Sequence, residues 1–263
     1  EPFFFDGQVD RAGTTYAIIG DRLQAIDAQG VMQWQWPAGA QTLGIRCSAC
    51  DTCDVENNCD ADPYISRTPI WALDEATQTV FLIHLRFLTA LDLKTGQVRW
   101  SVNFSNTFTK RSYVSEIVTQ HLTLLGDAVV LDVIEGVDAH TTWLLGYDRR
   151  SGRLSFVSAT EGHVVNLVSL QEQVLVANVA PCQGPPADWH TIGPANRLER
   201  YDTRGVLLQT FSTLGPLSVV TPTLVATQQP VSLSRFDATG AALGAYVPPM
   251  SLTTWGPTEA LST

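Results

Sequence analysis

Four cysteines lie within thirteen residues, Cys47, Cys50, Cys53 and Cys59, and a fifth, Cys182, stands far from them. Four thiolates on one short loop can converge on zinc or on an iron–sulfur cluster. The same four can instead close as two disulfides and staple a long loop that has little core of its own. The spacing C-x2-C-x2-C-x5-C lacks the paired knuckles of a zinc ribbon, which favours disulfides. Cys182 either stays free or pairs with the loop and leaves one of its four unpaired. Oxygen ligands crowd the same stretch: Asp51, Asp54, Glu56, Asn57, Asn58, Asp60 and Asp62. Hard cations such as calcium take six to eight oxygens at adaptable geometry, so these side chains are calcium candidates. The stretch lacks the order and the closing Glu of an EF-hand loop, and a solvated acidic loop is the plain alternative.

Histidines offer little acid–base chemistry. His84, His121, His140, His163 and His190 are scattered, and no G-x-S-x-G, H-E-x-x-H or Gly-rich phosphate loop occurs. His84 sits in an alternating apolar stretch and reads as structural. Trp189 and His190 differ, because they fall in the Pro/Gly-rich segment PCQGPPADWHTIGP. Aromatic anchors dominate interface energetics, so the pair is a candidate contact for a partner.

The elements that must carry these loops follow from an internal repeat. An apolar residue, an Asp, a turn ending in Gly and then an apolar stretch recur five times, with the Asp at 27, 92, 148, 202 and 237. The clearest copy is Leu91-Asp92-Leu93-Lys94-Thr95-Gly96, followed by Gln97-Val98-Arg99-Trp100. Each copy predicts a β-hairpin. The Asp carboxylate bonds backbone N–H groups of the turn, and the Gly supplies the positive φ. An aromatic in the strand after the turn packs between neighbouring sheets, as expected of Trp34 and Trp100. Apolar, β-branched stretches such as TVFLIHL, AVVLDVI and QVLVANV precede the hairpins and bring the count to about four strands per unit.

The spacing of the Asp residues falls from 65 to 35 along the chain. The long gaps hold insertions, at about residues 40–65 and 181–194. The short last gap predicts clipped strands in the fifth unit. The first unit looks short of a strand at residues 1–13, and the C-terminal stretch SLTTWGPTEALST is expected to complete it. The fold class is all-β: one domain over residues 1–263, a β-propeller of about five four-stranded blades with a cysteine-rich inserted loop.

Bulk composition narrows function. The chain has 263 residues, 44% apolar and 16% charged, enough for one sizeable core or one repeat array. A formal net charge of −10 repels phosphate backbones, so nucleic acid is excluded as an expected partner. No apolar run approaches the roughly 20 residues of a membrane span. A chain that opens on Glu1, with clustered cysteines, predicts a secreted or periplasmic product whose signal peptide has been removed.

LTALDLKTGQVRW and LLGYDRRSGRLSF resemble the A-L-D-x-x-T-G-x-x-x-W repeat of the pyrroloquinoline-quinone-like propellers. That family includes quinoprotein alcohol dehydrogenases and the outer-membrane assembly lipoprotein BamB, both typically eight-bladed and longer. The resemblance implies a propeller scaffold, and by analogy to BamB an accessory subunit with protein partners in an envelope or membrane complex. The dehydrogenases carry an adjacent cysteine pair against the quinone. No such pair occurs here, so the cofactor site is not carried over. A quinone-dependent dehydrogenase fragment and a metal-binding or electron-transfer loop remain the alternatives.

Overall fold

The computed structural model describes residues 4–19, 21–39, 43, 70–84, 86–108, 117–135, 141–170, 172–180, 197–212, 217–221, 224–228, 233–237 and 242–246. Within them the chain makes five antiparallel sheets in which strands follow one another in sequence order. The first holds β1 (Phe4–Val9), β2 (Thr15–Ile19), β3 (Leu23–Ile26) and β4 (Met32–Trp36). The second holds β5 (Ile70–Asp74), β6 (Thr79–His84), β7 (Phe87–Asp92) and β8 (Val98–Asn103), and a 3₁₀ turn follows at Phe104–Phe108. The third holds β9 (Ile117–Val118), β10 (Leu122–Leu125), β11 (Ala128–Glu135), β12 (Thr141–Asp148) and β13 (Leu154–Glu161), with β9 paired to β11. The fourth holds β14 (His163–Leu170), β15 (Val174–Ala180), β16 (Arg197–Tyr201) and β17 (Leu207–Ser212). The fifth holds β18 (Leu217–Thr221), β19 (Leu224–Gln228), β20 (Leu233–Asp237) and β21 (Ala242–Tyr246).

Two expectations are corrected. The first sheet already holds four strands, with β1 at Phe4–Val9 where the sequence looked a strand short, and the stretch SLTTWGPTEALST expected to complete it lies outside the described residues. The fifth sheet keeps four strands of five residues each; its short spacing reflects short connections, not lost strands.

Burial grades across each sheet. The second strand is enclosed on both faces: Tyr16, Ala17 and Ile18 in β2, Val80 to Ile83 in β6, and Val129 to Val133 in β11 are all buried. A strand enclosed on both sides reads as a continuous apolar run, and Val80-Phe81-Leu82-Ile83 in β6 does so. The fourth strand is open by comparison, its residues mostly exposed or half-buried in β4, β8 and β13.

The described residues divide into two compact units, Glu1–Leu122 with Tyr147–Arg153, and Thr123–Gly146 with Leu154–Thr263. In the first, Tyr16, Ile18, Leu23, Ala25 and Trp34 of the first sheet pack on Trp71, Val80, Leu82 and Leu91 of the second. A buried ion pair, Arg149 Nη1 to Asp74 Oδ2 at 3.1 Å, adds to this unit. In the second, Leu125, Val130 and Leu144 pack with Val164, Leu175, Val179 and Tyr201.

The repeat turns explain the sequence pattern atom by atom. In the short turns, Asp27 Oδ1 accepts from Gln29 N (3.0 Å) and Val31 N (2.8 Å), and Asp202 Oδ1 from Arg204 N and Val206 N (both 2.9 Å). In the turns one residue longer, Asp92 Oδ1 accepts from Lys94 N and Thr95 N, and Asp148 Oδ1 from Arg150 N and Ser151 N. Gly30, Gly96, Gly152 and Gly205 all carry positive φ. A β-bulge then follows where the register shifts beside Ala25, Ala90, Arg200 and Arg235. Gln33 and Arg99 fall at that extra position, and each reaches back to its own repeat Asp. Gln33 Nε2 donates to Asp27 Oδ2 at 2.6 Å, and Arg99 Nη2 to Asp92 Oδ2 at 2.7 Å.

Just past the bulge stands the aromatic. The Trp34 indole covers Gly96 of the next repeat, and its Nε1 donates to the Leu93 carbonyl at 2.9 Å. Trp100 covers Gly152 in the same way and donates to the Arg149 carbonyl at 3.0 Å. Phe156 covers Gly205. A Cβ on any of these three glycines would come within 2.7 Å of the ring, so glycine is needed for room as well as for φ.

Candidate functional site

Successive turns of an antiparallel meander alternate between the two ends of its strands. The Asp turns therefore leave one edge of each sheet, and the middle connection and the exit leave the other. The segment after β4, which carries the cysteines, starts from that second edge of the first sheet. The segment between β15 and β16, which carries Trp189, starts from the second edge of the fourth. Cys47, Cys50, Cys53, Cys59, Cys182, Asp51, Asp54, Glu56, Asp60, Asp62, Trp189 and His190 themselves lie outside the described residues, so the geometry speaks for the bases of these segments.

At the base of the first, β4 ends on Trp36, β6 ends on His84 and β7 begins at Phe87. The Trp36 and His84 rings meet edge to face at 4.9 Å between centroids, and His84 stacks on Phe87 at 5.7 Å. The trio is half-buried, with Phe87 37% exposed, so it presents aromatic surface beside the segment. His84 Nε2 and Thr89 Oγ1 are 3.2 Å apart, and Thr89 Oγ1 and Ser101 Oγ are 2.9 Å apart. Burial lowers the His84 pKa from its ordinary value, which keeps the ring neutral at pH 7. Leu43 is buried and its N–H donates to the Asp21 carbonyl at 3.0 Å, tying the start of the segment to the β2–β3 turn. His84 is structural, as its alternating stretch implies, and it is also part of this patch. The meeting of Trp36 with His84 has no signal in sequence, because the two are far apart along the chain.

At the base of the second lies a polar cluster. Arg197 Nε meets Glu199 Oε1 at 2.8 Å, and Tyr201 Oη donates to Glu199 Oε2 at 2.5 Å. Arg197 Nη2 also donates to Thr160 Oγ1 and to the Glu161 carbonyl. Burial and the neighbouring Glu199 carboxylate raise the Tyr201 pKa far above its ordinary value, so the phenol stays protonated as the donor. The alternation in Arg197-Leu198-Glu199-Arg200-Tyr201 puts Arg197, Glu199 and Tyr201 on one face, a signal the sequence did hold. The cluster ties β16 to the end of β13 through Arg197 and pairs Glu199 with both Arg197 and Tyr201.

On the opposite edge of the fourth sheet, an open polar groove of about 650 Å³ is lined by Asp127, Phe156, Glu172, Gln173, Thr203 and Arg204. Arg204 is engaged there by Asp202 at 3.0 Å. Among the described residues no three His, Cys, Asp or Glu side chains converge as a metal site would require.

No family model matches the sequence, and no curated protein matches it. Solved structures do. Quinohemoprotein alcohol dehydrogenase from Comamonas testosteroni superposes with a TM-score of 0.57 at 13% identity, covering 90% of this chain and 42% of the enzyme. The Dos1 propeller superposes at 0.56 and 11% identity, covering 95% of this chain and 59% of Dos1. The WD40 domain of SCAP from fission yeast superposes at 0.52 and 11% identity, covering 95% and 56%. The chain has a β-propeller fold. The quinoprotein type implied by the repeat is among its structural neighbours, and WD40 propellers superpose about as well. The likeness therefore fixes the architecture and leaves the chemistry to the residues. The chain spans about half the length of the solved chains it matches. Among the described residues no helix is long and apolar enough to cross a membrane.

Proposed function

We propose that this propeller is a non-catalytic scaffold of the cell envelope or extracellular space, an accessory subunit that binds other proteins through its loop-bearing edges. One observation carries the reading. The edge from which the cysteine segment leaves presents the aromatic trio Trp36, His84 and Phe87, whereas the polar groups at the other described sites are engaged in turns and stems. Aromatic rings with partly exposed faces, framed by long segments on a rigid sheet, suit protein recognition. In this reading the one domain spans residues 1–263, Trp189 and His190 are contact residues, and the cysteines staple their segment as disulfides. Calcium bound by Asp51, Asp54, Glu56, Asp60 and Asp62 would stiffen the same segment.

The test is affinity enrichment from the native envelope fraction with Phe87→Ser and Trp189→Ala beside the wild type. A defined partner that co-purifies in fixed ratio with wild type, and is reduced in both variants, supports the reading. Equal recovery with all three, or alcohol-dependent dye reduction after loading with quinone and calcium, overturns it. Near-unit iron or zinc protecting the thiols would assign the cysteine segment to metal chemistry instead.

A further inference from the structure

We propose that the polar groove beside Phe156 is a binding site for the guanidinium group of an arginine in a basic peptide. The site arises where the third repeat departs from the first two. Trp34 and Trp100 close their seats in two ways. Each ring covers a glycine, and each indole N–H donates to the carbonyl of the residue after the next repeat Asp, Leu93 or Arg149. Those two residues are 3% and 5% exposed. In the third seat the ring is Phe156, the glycine is Gly205 and the corresponding carbonyl is that of Thr203. A phenyl ring has no N–H to give, and among the described residues nothing donates to the Thr203 carbonyl. Thr203 is half-buried, where Leu93 and Arg149 are buried.

A second departure accompanies the smaller ring. Ala25 and Ala90 stand two residues before their repeat Asp, pair with Trp34 and Trp100 across the hairpin, and are fully buried. Gly146 takes that place in the third repeat. One edge of the Phe156 ring lies where a Cβ on Gly146 would be, and the other edge lies where a Cβ on Gly205 would be. The ring therefore settles against the missing methyl of Gly146. The groove of about 650 Å³ opens beside it, between the turn of β10–β11, the turn of β14–β15 and the Asp202 turn.

The lining sets the chemistry of the occupant. Asp127 and Glu172 bring exposed carboxylates from two of the turns. Among the described lining residues the one cation is Arg204, and Asp202 Oδ2 already holds it through Nε at 3.1 Å and Nη2 at 3.0 Å. Gln173 and Thr203 add further acceptors beside the Phe156 ring. A guanidinium matches this set: it is planar and always charged, stacks on aromatic rings, and spreads five N–H donors over acceptors from several directions. An ammonium is a compact, strongly hydrated point charge and gains less from acceptors spread over three turns. The net charge of −10 attracts a basic segment to the chain. The groove lies at the edge of the fourth sheet opposite the one from which the Trp189 segment starts, so this site is separate from the loop-bearing surface.

The test follows the amide resonances of Gly126, Gln173 and Gly205 by NMR on the full chain. The probe is an acetylated and amidated pentapeptide with one arginine between two pairs of glycines. Saturable shifts are expected at millimolar peptide. Asp127→Asn, an exposed change that leaves the core intact, should weaken binding about threefold or more. A citrulline peptide, which keeps the shape and loses the charge, should not saturate. Gly146→Ala combined with Phe156→Trp rebuilds the Ala–Trp pair of the first two repeats; it should keep the melting temperature, fill the groove and abolish binding. No saturable shift at about 10 mM peptide overturns the proposal, as does equal binding of the citrulline peptide. Binding indifferent to Asp127→Asn, or undiminished in a folded double variant, overturns it as well. Equal affinity for a lysine peptide refutes the guanidinium, and equal affinity for N-acetylargininamide assigns the groove to a small guanidinium compound and refutes the peptide. None of these variants touches the cysteine or Trp189 segments, so this site and the scaffold reading fail separately.

Discussion

The pairing of Trp34 with Gly96 makes a prediction that can be worked in numbers. A Cβ on Gly96 would stand 2.7 Å from two indole carbons, and Gly96 holds φ +65. Gly96→Ala therefore adds two costs, about 1–2 kcal/mol for alanine in the left-handed region and about 1–3 kcal/mol for the displaced ring. Trp34→Ala should cost about 3–5 kcal/mol as a core truncation. In the double variant the ring is gone, so alanine at 96 retains only its backbone strain. The double variant should thus be more stable than the sum of the singles by about 1–3 kcal/mol. Urea unfolding at 25 °C followed by far-UV circular dichroism measures all four corners of the cycle. Trp34→Phe provides a milder arm, since it keeps a ring over the glycine and leaves the buried Leu93 carbonyl without its 2.9 Å donor, at about 1–3 kcal/mol. Additivity within about 0.5 kcal/mol would refute the account of Gly96 as a glycine chosen for room as well as for φ.

Three further outcomes are expected. Asp74→Ala removes the buried carboxylate that pairs with Arg149 and should destabilise the chain by about 3–5 kcal/mol in the same urea assay, well beyond Asp202→Ala at an exposed turn. Bonds from Arg99 and from the Thr95 and Lys94 turn groups hold the Asp92 carboxyl at about 2, below its ordinary 3.8. Its contribution is then complete above 3.8 and disappears as pH falls through about 2, so Arg99→Gln should raise the Asp92 pKa by NMR titration and shift the acid limb of unfolding to higher pH. His84 behaves with the opposite charge. Its folded pKa lies below the unfolded 6.5, so its share of stability is intact above 6.5 and erodes as pH falls below that value; His84→Phe should flatten this part of the profile.

The fold was readable because its signal is periodic and local. An Asp that caps its own turn, a Gly at positive φ and an aromatic a few residues on lie within about a dozen residues of sequence, and each has a physical reason to recur. Asp10 and Asp74 show what such reading misses. They build the same turn in the first hairpins of their sheets, accepting from Ala12 and Thr14, and from Ala76 and Thr77. In the second case Gln78, with φ +54, follows the turn, so the Gly-based pattern passes over it. The length of the fifth unit misled for a related reason, because spacing counts connections as well as strands. The candidate surface was less legible. Trp36, His84 and Phe87 come from three strands of two sheets, and only the register of those strands brings the rings together.

The repeat has a directional logic that a single copy conceals. The Gly and the aromatic of one repeat do not meet each other; Trp34 sits on the Gly of the second repeat, Trp100 on that of the third, and Phe156 on that of the fourth. Each repeat thus offers one seat backward and one ring forward. The two features are under different constraints. The glycine is required by φ even where no ring covers it, as at Gly30, so the seat persists wherever the turn persists. The ring has no such local requirement and is replaced by Gln209 and Gly244 in the last two repeats. An array built this way can lose rings while keeping seats. Gly30 is such a seat: its turn is intact, and among the described residues nothing lies within 4 Å of a Cβ placed there.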